Sequence, residues 1–512
     1  MTVLLADVVE ASRAVTATRS RTAKTQVLAG LFARAGVDEV AVVVSHLSGV
    51  LPQRRLGVGF RSLGSLPEPA AVSSLTVADV HAAFDRLAGA SGTGSTSTRR
   101  AELQALLARA TAAEQAFLRD LITGNLRQGA LDGVVLAAIA KAYAVPDALV
   151  RRAAMLAGTA AEVASLAAHG GAEALEAVGL VVGRPLRPML AASAKTTADA
   201  VSAAGGGTLL VDGKLDGIRV QVHRRAGDVT VFTRSLDEIT DRVPEVVDAV
   251  AALPGSDLVL DGEAIVMRDD GRPAPFQVTG ARTASSADVE RLRHSVPLTT
   301  FLFDVLHRDG TDLLDEPALV RHDVLLDLAP HLIVPRIVTT DPDDAATFFD
   351  DLVAAGHEGV VVKAADGPYA AGRRGNGWVK VKPTHTLDLV VLAVEWGSGR
   401  RRGLLSNIHL GARDPGTGDL VMVGKTFKGM TDEMLRWQTE RFTELAVRGT
   451  DGWVVEVRPE QVVEVAFDGV QRSSRYPGGL ALRFARVLRY RDDKAADQAD
   501  SIDLLRSLGP DA

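Results

Sequence analysis

The chain has 512 residues, of which 46% are hydrophobic and 24% are charged, which is the balance of a folded globular protein and not of a disordered chain. At roughly 150 residues per domain, this length predicts about three domains. Cysteine is absent, which excludes disulfides, thiolate zinc sites, iron–sulfur clusters and a cysteine nucleophile. The formal net charge of −7 weighs only weakly against a nucleic-acid partner, because binding depends on local clusters of charge.

Lysine is scarce in an arginine-rich chain. Ten of the 57 basic residues are lysine and the other 47 are arginine, so we expect lysine to be kept where a guanidinium cannot replace an amine. The N-terminus carries no basic segment ahead of an apolar one, and no strongly apolar stretch of 18 or more residues is free of charge. We therefore expect a soluble cytoplasmic protein without a secretory signal or a membrane span.

The first part of the chain is predicted to be helical. Ala101–Leu118 and Val134–Ala144 are rich in Ala, Leu and Glu, with apolar residues at helical spacing. Gly89–Thr98 has the composition of a flexible loop. Two prolines in Arg184–Ala192 break this pattern. We predict an all-α domain over residues 1–184.

Strand-like runs follow the prolines, and their character changes once more after Pro383. The first group predicts an α+β domain over residues 185–383, from the runs Thr208–Val211, Ile218–His223, Val229–Thr233, Leu258–Met267, Leu298–Leu306 and Gly359–Lys363. The second group predicts a small β-barrel of the OB-fold type over residues 384–512, from Leu387–Glu395, Ser406–Ala412, Leu420–Lys425 and Val462–Asp468.

The hexad Lys214–Arg219, with the sequence KLDGIR, is the sharpest feature of the chain. It lies between two predicted strands, so an ordinary charged turn built on its Asp-Gly pair is one interpretation. The other is a lysine nucleophile with an arginine held five residues on. A neutral lysine amine can attack phosphorus, whereas an arginine side chain stays protonated and cannot.

The hexad resembles the adenylation motif of ATP-dependent DNA ligases, which belong to the superfamily of covalent nucleotidyltransferases. The later motifs of that family have counterparts here in the same order along about 280 residues. They are Phe232–Ser235, Leu260–Glu263, Phe301–Asp304, Glu358–Lys363, Trp378–Lys382 and the C-terminal motif from Arg483 to Lys494. We interpret the chain as resembling a three-domain ligase of bacterial or archaeal type.

The resemblance implies a role for each matched residue. Lys214 is expected to be the nucleophile that carries AMP. The residues expected to contact ATP are Asp212, Arg219, Arg234, Glu263, Phe303, Lys363, Arg374, Lys380 and Lys382. Glu263 and Glu358 are expected to hold Mg²⁺, since a hard cation suits carboxylate and phosphate oxygens. The C-terminal motif is expected to orient the departing pyrophosphate.

Two expectations concern charge at this site. Lys380 and Lys382 are two residues apart on a predicted strand, so both side chains should point to one face, where a triphosphate would neutralise them. We also expect neighbouring cations, including Arg219 and a bound metal, to favour the neutral amine of Lys214.

Nicked double-stranded DNA is the partner that the resemblance implies, and we expect the enzyme to act on it as a monomer in repair, recombination and replication. Thr123–Gly129 resembles part of the DNA-binding domain of cellular ligases, where glycines and a helix N-terminus would expose N–H groups to phosphates. Residues 371–410 and 472–494 each carry a net charge of +5, which favours phosphate binding.

Three alternatives remain open from the sequence. The chain could be another nucleotidyltransferase (an mRNA-capping enzyme or an RNA ligase), or a catalytically inactive DNA-binding scaffold. NAD⁺-dependent ligases are disfavoured because their four-cysteine zinc module cannot form without cysteine. Gly424–Thr426 ends like a phosphate-binding P-loop but lies in a predicted strand with no helix behind it, so we reject that interpretation.

Overall fold

The computed structural model describes residues 2–126, 132–370 and 374–509. The N-terminal part is helical, as predicted. Its helices are α1 (Leu5–Ala17), α2 (Arg21–Arg34), α3 (Val40–Leu47), α4 (Val77–Gly89), α5 (Ser95–Ala108), α6 (Ala112–Ile122), α7 (Asp132–Ala142), α8 (Asp147–Ala157) and α9 (Ala160–Glu176). They pack around one apolar core that includes Leu28, Phe32, Val44, Phe84 and Ile139.

The segment Ala101–Leu118, predicted to be helical, is divided between two helices, α5 and α6. Thr111 explains the break, because its side chain accepts from the backbone N–H of Glu114 while the Glu114 carboxylate accepts from the N–H of Thr111 at 2.8 Å. This reciprocal capping box starts a new helix where apolar spacing alone predicts continuity. The predicted loop over Gly89–Thr98 is shorter in the structure, since α5 begins at Ser95.

The middle part forms two five-stranded sheets with helices, which agrees with the predicted α+β class. One sheet has the order β1-β10-β9-β2-β8 and the other β4-β3-β5-β6-β7. The strands are β1 (Leu190–Ala194), β2 (Leu209–Lys214), β3 (Ile218–Arg225), β4 (Asp228–Thr233), β5 (Leu258–Val266), β6 (Leu298–Arg308), β7 (Thr311–Asp312), β8 (Arg336–Thr339), β9 (Gly359–Ala364) and β10 (Arg374–Val381). The helices are α10 (Thr197–Ala203), α11 (Pro244–Ala251), α12 (Phe276–Ala284), α13 (Val289–Ser295), α14 (Ala318–Leu328) and α15 (Pro342–Ala354).

Alternation along the strands of the first sheet separates a core face from a polar face. Val211, Val362 and Val381 pack with α10 and α15 in one apolar cluster. Successive side chains of a strand point to opposite faces. In each of these strands, the residues next to the valine therefore point to the other side of the sheet. That side forms one wall of a cleft.

The segment that joins β2 to β3 crosses from one sheet to the other. β2 pairs with β8 and β9, whereas β3 pairs with β4 and β5. The hexad Lys214–Arg219 is therefore not the turn of a hairpin, which excludes the simplest alternative interpretation of its sequence. Instead, Lys214 ends a strand of one sheet and Ile218 begins a strand of the other.

In the described residues the C-terminal part is a β-structure with two α-helices. Its elements are β11 (His385–Trp396), β12 (Leu405–Arg413), β13 (Leu420–Thr426), α16 (Asp432–Glu444), β14 (Val454–Glu456), β15 (Val462–Phe467), β16 (Gly469–Arg472), β17 (Leu480–Arg483), β18 (Arg486–Tyr490) and α17 (Ile502–Ser507). The main sheet has the order β13-β12-β11-β15-β18, with β14 also paired to β11.

The ends of this sheet come close without forming a ladder in the described part of the chain. The backbone N–H of Val487 in β18 donates to the carbonyl of Lys428, just after β13, at 2.9 Å. Thr426 Oγ1 donates to the carbonyl of Ala485 at 2.5 Å. A closed barrel of the OB type is therefore not confirmed and stays a prediction.

Residues 177–189 join α9 to β1, and residues 382–384 join β10 to β11. The predicted boundary at 184/185 falls between α9 and β1, and the one at 383/384 falls between β10 and β11. Met155 and Leu156 of α8 pack with Leu186, Met189 and the aromatic rings of the middle part, so the helical part is seated directly on it. Among the described helices, none combines the length and the apolar character that crossing a bilayer requires.

A buried histidine makes the helical core sensitive to acid. His46 on α3 is fully buried and its ring contacts the Phe84 ring edge to face, and among the described residues neither of its ring nitrogens has a hydrogen-bond partner. Burial, with a smaller contribution from His81, lowers the pKa of His46 to about 4. The neutral form is favoured in the fold, so stability is complete above the ordinary pKa of 6.5 and falls as the pH is lowered towards about 4.

We predict that replacing this histidine by leucine removes much of that acid sensitivity. Between about pH 7 and about pH 5 the wild-type chain should lose about 2 kcal/mol through His46, a loss that His46→Leu should not show. Urea unfolding followed by circular dichroism at both pH values measures the difference. The exposed His169→Leu variant is the matched control. An identical loss in all three proteins would contradict the assignment.

Candidate active site

A cleft of about 1240 Å³ lies between the two sheets of the middle part. Its walls carry the predicted residues Asp212, Lys214, Arg219, Arg234, Glu263, Phe303, Glu358, Lys363, Lys380 and Lys382. The strand alternation described above brings Asp212 and Lys214 of β2, Lys363 of β9 and Lys380 of β10 to the same face. The side chain of Arg374 lies outside the described part of the structure, so its predicted role stays a prediction.

One carboxylate bridges two lysines at the centre of the cleft. Glu358 forms ion pairs with Lys214 through Oε2 and with Lys382 through Oε1. The backbone supports this arrangement, since the N–H of Glu358 donates to the carbonyl of Lys214 at 3.0 Å. The register of β2 against β9, which pairs Lys214 with Gly359, therefore fixes the position of the acid beside the amine.

The acids around Lys214 raise its pKa. Burial lowers the pKa of this amine, but the carboxylates of Glu358, Glu263 and Asp216 outweigh burial, and the pKa lies above its ordinary value. The expectation that neighbouring cations favour the neutral amine is therefore wrong for the chain's own groups. Lys214 is held as an ammonium ion and must lose a proton before it can attack phosphorus.

Glycines in two of the motifs are required by close packing. Gly359 has a φ of +134°, and a Cβ there would collide with the carbonyl oxygen of Val381. Gly217 donates its N–H to Glu263 Oε1 at 3.1 Å, and a Cβ there would meet the backbone of Ala264. These glycines bring the strands close enough to place Glu358 and Glu263 on either side of the lysine.

Glu263 is an acid in an environment that resists its ionisation. Burial raises the pKa of Glu263 to about 7, and the charge of Glu358 adds to the effect, while Lys214 and Arg219 oppose it. The two carboxylates repel each other, so a further cation bound between them would stabilise their ionised forms.

The guanidinium of Arg219 is held by hydrogen bonds to other residues of the chain. Its Nε and Nη2 donate to the two carboxylate oxygens of Asp261 at 2.9 and 2.5 Å, and its Nη1 donates to the carbonyl of Met189 at 2.6 Å. Tyr369 donates its hydroxyl to Asp261 at 2.7 Å. Sequence reasoning found Arg219 but missed Asp261 and Tyr369, although Asp261 stands in the Leu260–Glu263 motif.

Asp212, Lys363 and Phe303 lie together at the inner end of the cleft. Lys363 Nζ pairs with Asp212 Oδ2 at 2.6 Å and donates to the carbonyl of Phe303 at 3.2 Å. Burial lowers the pKa of Lys363, which Asp212 opposes. The Phe303 ring meets Trp378 edge to face, with the centroids 5.9 Å apart. An aromatic face beside hydrogen-bonding groups is what a purine base requires.

The C-terminal part completes the cleft. Arg483 forms an ion pair with Asp216 of the hexad, and its Nη2 donates to Oδ1 at 3.3 Å. Lys382 also approaches Asp468 Oδ2 at 3.6 Å. Phe484 lines the cleft beside Arg483. This part of the C-terminal motif is therefore close to the nucleophile.

The rest of the C-terminal motif lies elsewhere. Arg491 and Lys494 both pair with Asp388 at the start of β11, at 2.9 and 2.5 Å. In the described structure they are not among the residues that line the cleft, so the expectation that they orient pyrophosphate gains no support from this arrangement.

The net charge of +5 over residues 472–494 overstates the free charge of that segment. Arg483, Arg486 and Arg489 pair with acids outside it, as do Arg491 and Lys494. Lys425, rejected as a P-loop lysine, lies on β13 and pairs with Glu395. Of Thr123–Gly129, the predicted phosphate-binding turn, residues 127–129 lie outside the described part of the chain.

Sequence reasoning also missed basic residues from other parts of the chain. Arg54 and Arg55 of the helical part line the cleft, and Arg336 of β8 holds Asp212 from behind. The chain has 47 arginines, and none of these three lies in a recognised motif, so only the fold shows that they are close to the site.

Comparison with known proteins gives the family. Residues 188–382 match the family model described as ATP dependent DNA ligase domain, residues 401–494 match ATP dependent DNA ligase C terminal region, and residues 58–140 match DNA ligase N terminus. A protein of Nocardioides sp. named "Probable DNA ligase" is 58% identical to this chain and is aligned over 99% of each. A protein of Mycolicibacterium paratuberculosis with the same name is 58% identical over 99% of this chain and 98% of its own length.

The fold is also found among solved structures. The structure named "Pmar-Lig_Pre." covers 95% of this chain and 99% of its own, with a TM-score of 0.62 and 19% sequence identity. The two relatives that share more than half of their residues with this chain along nearly its whole length decide between the alternatives that the sequence left open. The chain belongs to the ATP-dependent DNA ligase family.

Proposed function

We propose that the chain seals nicks in double-stranded DNA through a lysyl–AMP intermediate on Lys214. The observation that carries the proposal is the position of Lys214 at the end of β2, inside the cleft and between Glu263 and Glu358. Membership of the ATP-dependent DNA ligase family supplies the reaction class.

In the first step, Lys214 Nζ attacks the α-phosphorus of ATP. The N–P bond forms as the bond to the pyrophosphate oxygen breaks, and the ammonium proton must leave Nζ. Glu358 Oε2, which pairs with this nitrogen, is the chain's nearest acceptor for that proton. Lys380 and Lys382 carry positive charge on the same wall, where it would offset the charge of the phosphate oxygens.

The residues present fit a divalent cation. Glu263 and Glu358 flank the amine, and their mutual repulsion contributes to the raised pKa of Glu263. Mg²⁺ is commonly held by one or two carboxylates together with the phosphates of its substrate. When bound, such a cation supplies Lewis-acid stabilisation of the phosphate oxygens.

The second and third steps need DNA. AMP passes from Lys214 to the 5′-phosphate at the nick, and the adjacent 3′-hydroxyl then displaces AMP and closes the strand. The helical part borders the cleft through Arg54 and Arg55, and the C-terminal part borders it through residues that include Phe484. A duplex held by its phosphates would be recognised without regard to sequence, as sealing in repair, recombination or replication requires. We propose that one copy of the chain suffices.

Covalent labelling tests the first step. With Mg²⁺ and ATP labelled at the α-phosphate, the wild-type chain should retain label on the protein, and nicked duplex DNA should then discharge it as the strand is sealed. Lys214→Ala should retain none, while Lys195→Ala, which removes an exposed lysine outside the cleft, should behave as wild type. Label of equal amount on Lys214→Ala would refute the proposal, and preferential sealing of nicked RNA would refute the substrate.

The rate of the first step should rise with pH. Lys214 has a raised pKa and must be neutral to attack, and Glu263, with a pKa of about 7, must be ionised to bind a cation. Below about pH 7 both groups titrate, so single-turnover labelling should speed up by more than about tenfold per pH unit, whereas above about pH 7 only Lys214 still titrates and the gain should be about tenfold per unit. A rate that does not change between about pH 6 and about pH 8 would contradict these assignments.

Removing the arginine of the C-terminal motif should affect the first step selectively. Arg483→Ala breaks the pair with Asp216 and removes a cation from the cleft. The loss of one charge-assisted hydrogen bond predicts labelling about tenfold slower or more, with Arg483→Lys intermediate. Sealing of a nick that already carries AMP should change by less than about threefold. Arg489→Ala, which breaks an exposed pair with Glu464, is the matched control, and equal effects of the two alanine variants would contradict the role of Arg483.

A further inference from the structure

A buried arginine outside the recognised motifs holds the inner end of the cleft together. Arg336 begins β8, directly opposite Asp212 of β2 in the strand register. Its side chain is only 4% exposed, as is the carboxylate of Asp212. Burying a guanidinium is costly unless its donors are satisfied, so the contacts of Arg336 decide what it does there.

Arg336 links three separate elements through its donors. Nε donates to Asp212 Oδ1 at 2.5 Å and Nη2 to Oδ2 at 2.8 Å, which is a bidentate pair. Nη2 also donates to the carbonyl of Phe303 on β6 at 2.7 Å. Nη1 lies 2.8 Å from His322 Nδ1 of α14, and since arginine only donates, that nitrogen is the acceptor.

These bonds limit how many further hydrogen bonds Asp212 can accept. A carboxylate offers about four lone-pair positions, two on each oxygen. Arg336 and Lys363 together fill both positions of Oδ2, and Arg336 fills one of Oδ1. Among the residues that the structure describes, nothing else fills the second acceptor position of Oδ1, and Asp212 lines the cleft. Burial raises the pKa of Asp212, but Arg336 and Lys363 outweigh it and hold that pKa below its ordinary value.

We propose that Arg336 is the positioning residue for recognition of the nucleobase. It orients Asp212 so that the remaining acceptor position receives the exocyclic amino group of adenine, and it fixes Phe303 through its backbone carbonyl beside the same base. Guanine presents a carbonyl oxygen where adenine presents the amino group, so a fixed carboxylate at this position rejects it. The proposal rests on the proposed function, because it concerns the base of the ATP that Lys214 attacks.

The contrast with another buried pair supports a role at the cleft. Arg321 and Asp304 are similarly buried and bidentate, at 2.7 and 3.1 Å, yet neither lines the cleft in the described structure. Arg336 itself is also not among the residues that line the cleft in the described structure. However, it pairs with the carboxylate of Asp212 and donates to the backbone carbonyl of Phe303, and both of these residues line the cleft.

Single-turnover labelling at a series of ATP and GTP concentrations tests the proposal, with KM taken as the nucleotide concentration that gives half the maximal labelling rate. Arg336→Lys keeps the charge but cannot make the bidentate pair and also reach Phe303. We expect its KM for ATP to rise about tenfold, with the labelling rate at saturating ATP within about threefold of wild type. The preference for ATP over GTP should fall about tenfold. Arg336→Met, which removes the charge, should show larger changes in the same direction.

Two further measurements separate positioning from a general loss of structure. Sealing of nicked DNA that already carries AMP needs no free nucleotide, so it should stay within about threefold of wild type in both variants. Arg224→Lys is the matched control, because Arg224 is buried and donates to backbone carbonyls such as those of Val250 and Pro254, outside the cleft. It should leave the KM for ATP and the choice of nucleotide unchanged.

Each outcome decides the matter. An unchanged KM and an unchanged ATP preference in Arg336→Lys and Arg336→Met would overturn the assignment. A parallel fall in the sealing of preadenylated nicks would also overturn it, since that fall reports lost structure. Absence of label on the wild-type chain would instead refute the proposed function itself, and with it the role of Arg336 that depends on that function.

Discussion

The Glu358 carboxylate lies between the ammonium groups of Lys214 and Lys382, and the cleft is organised around this bridge. It exists because β9 starts opposite the end of β2, in a register that needs a glycine at 359. The same carboxylate raises the pKa of Lys214, and it adds to burial, the larger cause, in raising the pKa of Glu263. If the proposed triphosphate and divalent cation bind here, they would compete for these ion pairs, because phosphate oxygens attract the lysines and a cation attracts the carboxylates.

Pairing of this kind extends to other charged residues of the site. Arg219 is matched by Asp261, Lys363 by Asp212 and Arg483 by Asp216. This explains why net charge, whether that of the whole chain or of a basic window, is a poor guide to the partner. The acids that neutralise the cations come from other segments of the sequence, so counting charges along one segment cannot find them.

Much of the fold and of the site could be predicted from the sequence, for reasons that differ between elements. Lys214 was found because KLDGIR is rare and because lysine is scarce, and the period of two along β10 placed Lys380 and Lys382 on one face. The break between α5 and α6 was missed because a capping box at Thr111 overrides apolar spacing. Arg336 was missed because β8 is four residues long and carries no motif. The raised pKa of Lys214 was missed because it depends on strand register, which no local pattern contains.

The central claim is that one lysine, held by Glu358 at the end of β2, carries AMP. Mass spectrometry of peptides from the chain, after incubation with ATP and Mg²⁺ and digestion under conditions that preserve a phosphoramidate, tests it most directly. The account predicts a single modified peptide whose added mass is one AMP residue on Lys214. AMP found instead on Lys363, Lys380 or Lys382, which share the cleft, would contradict it.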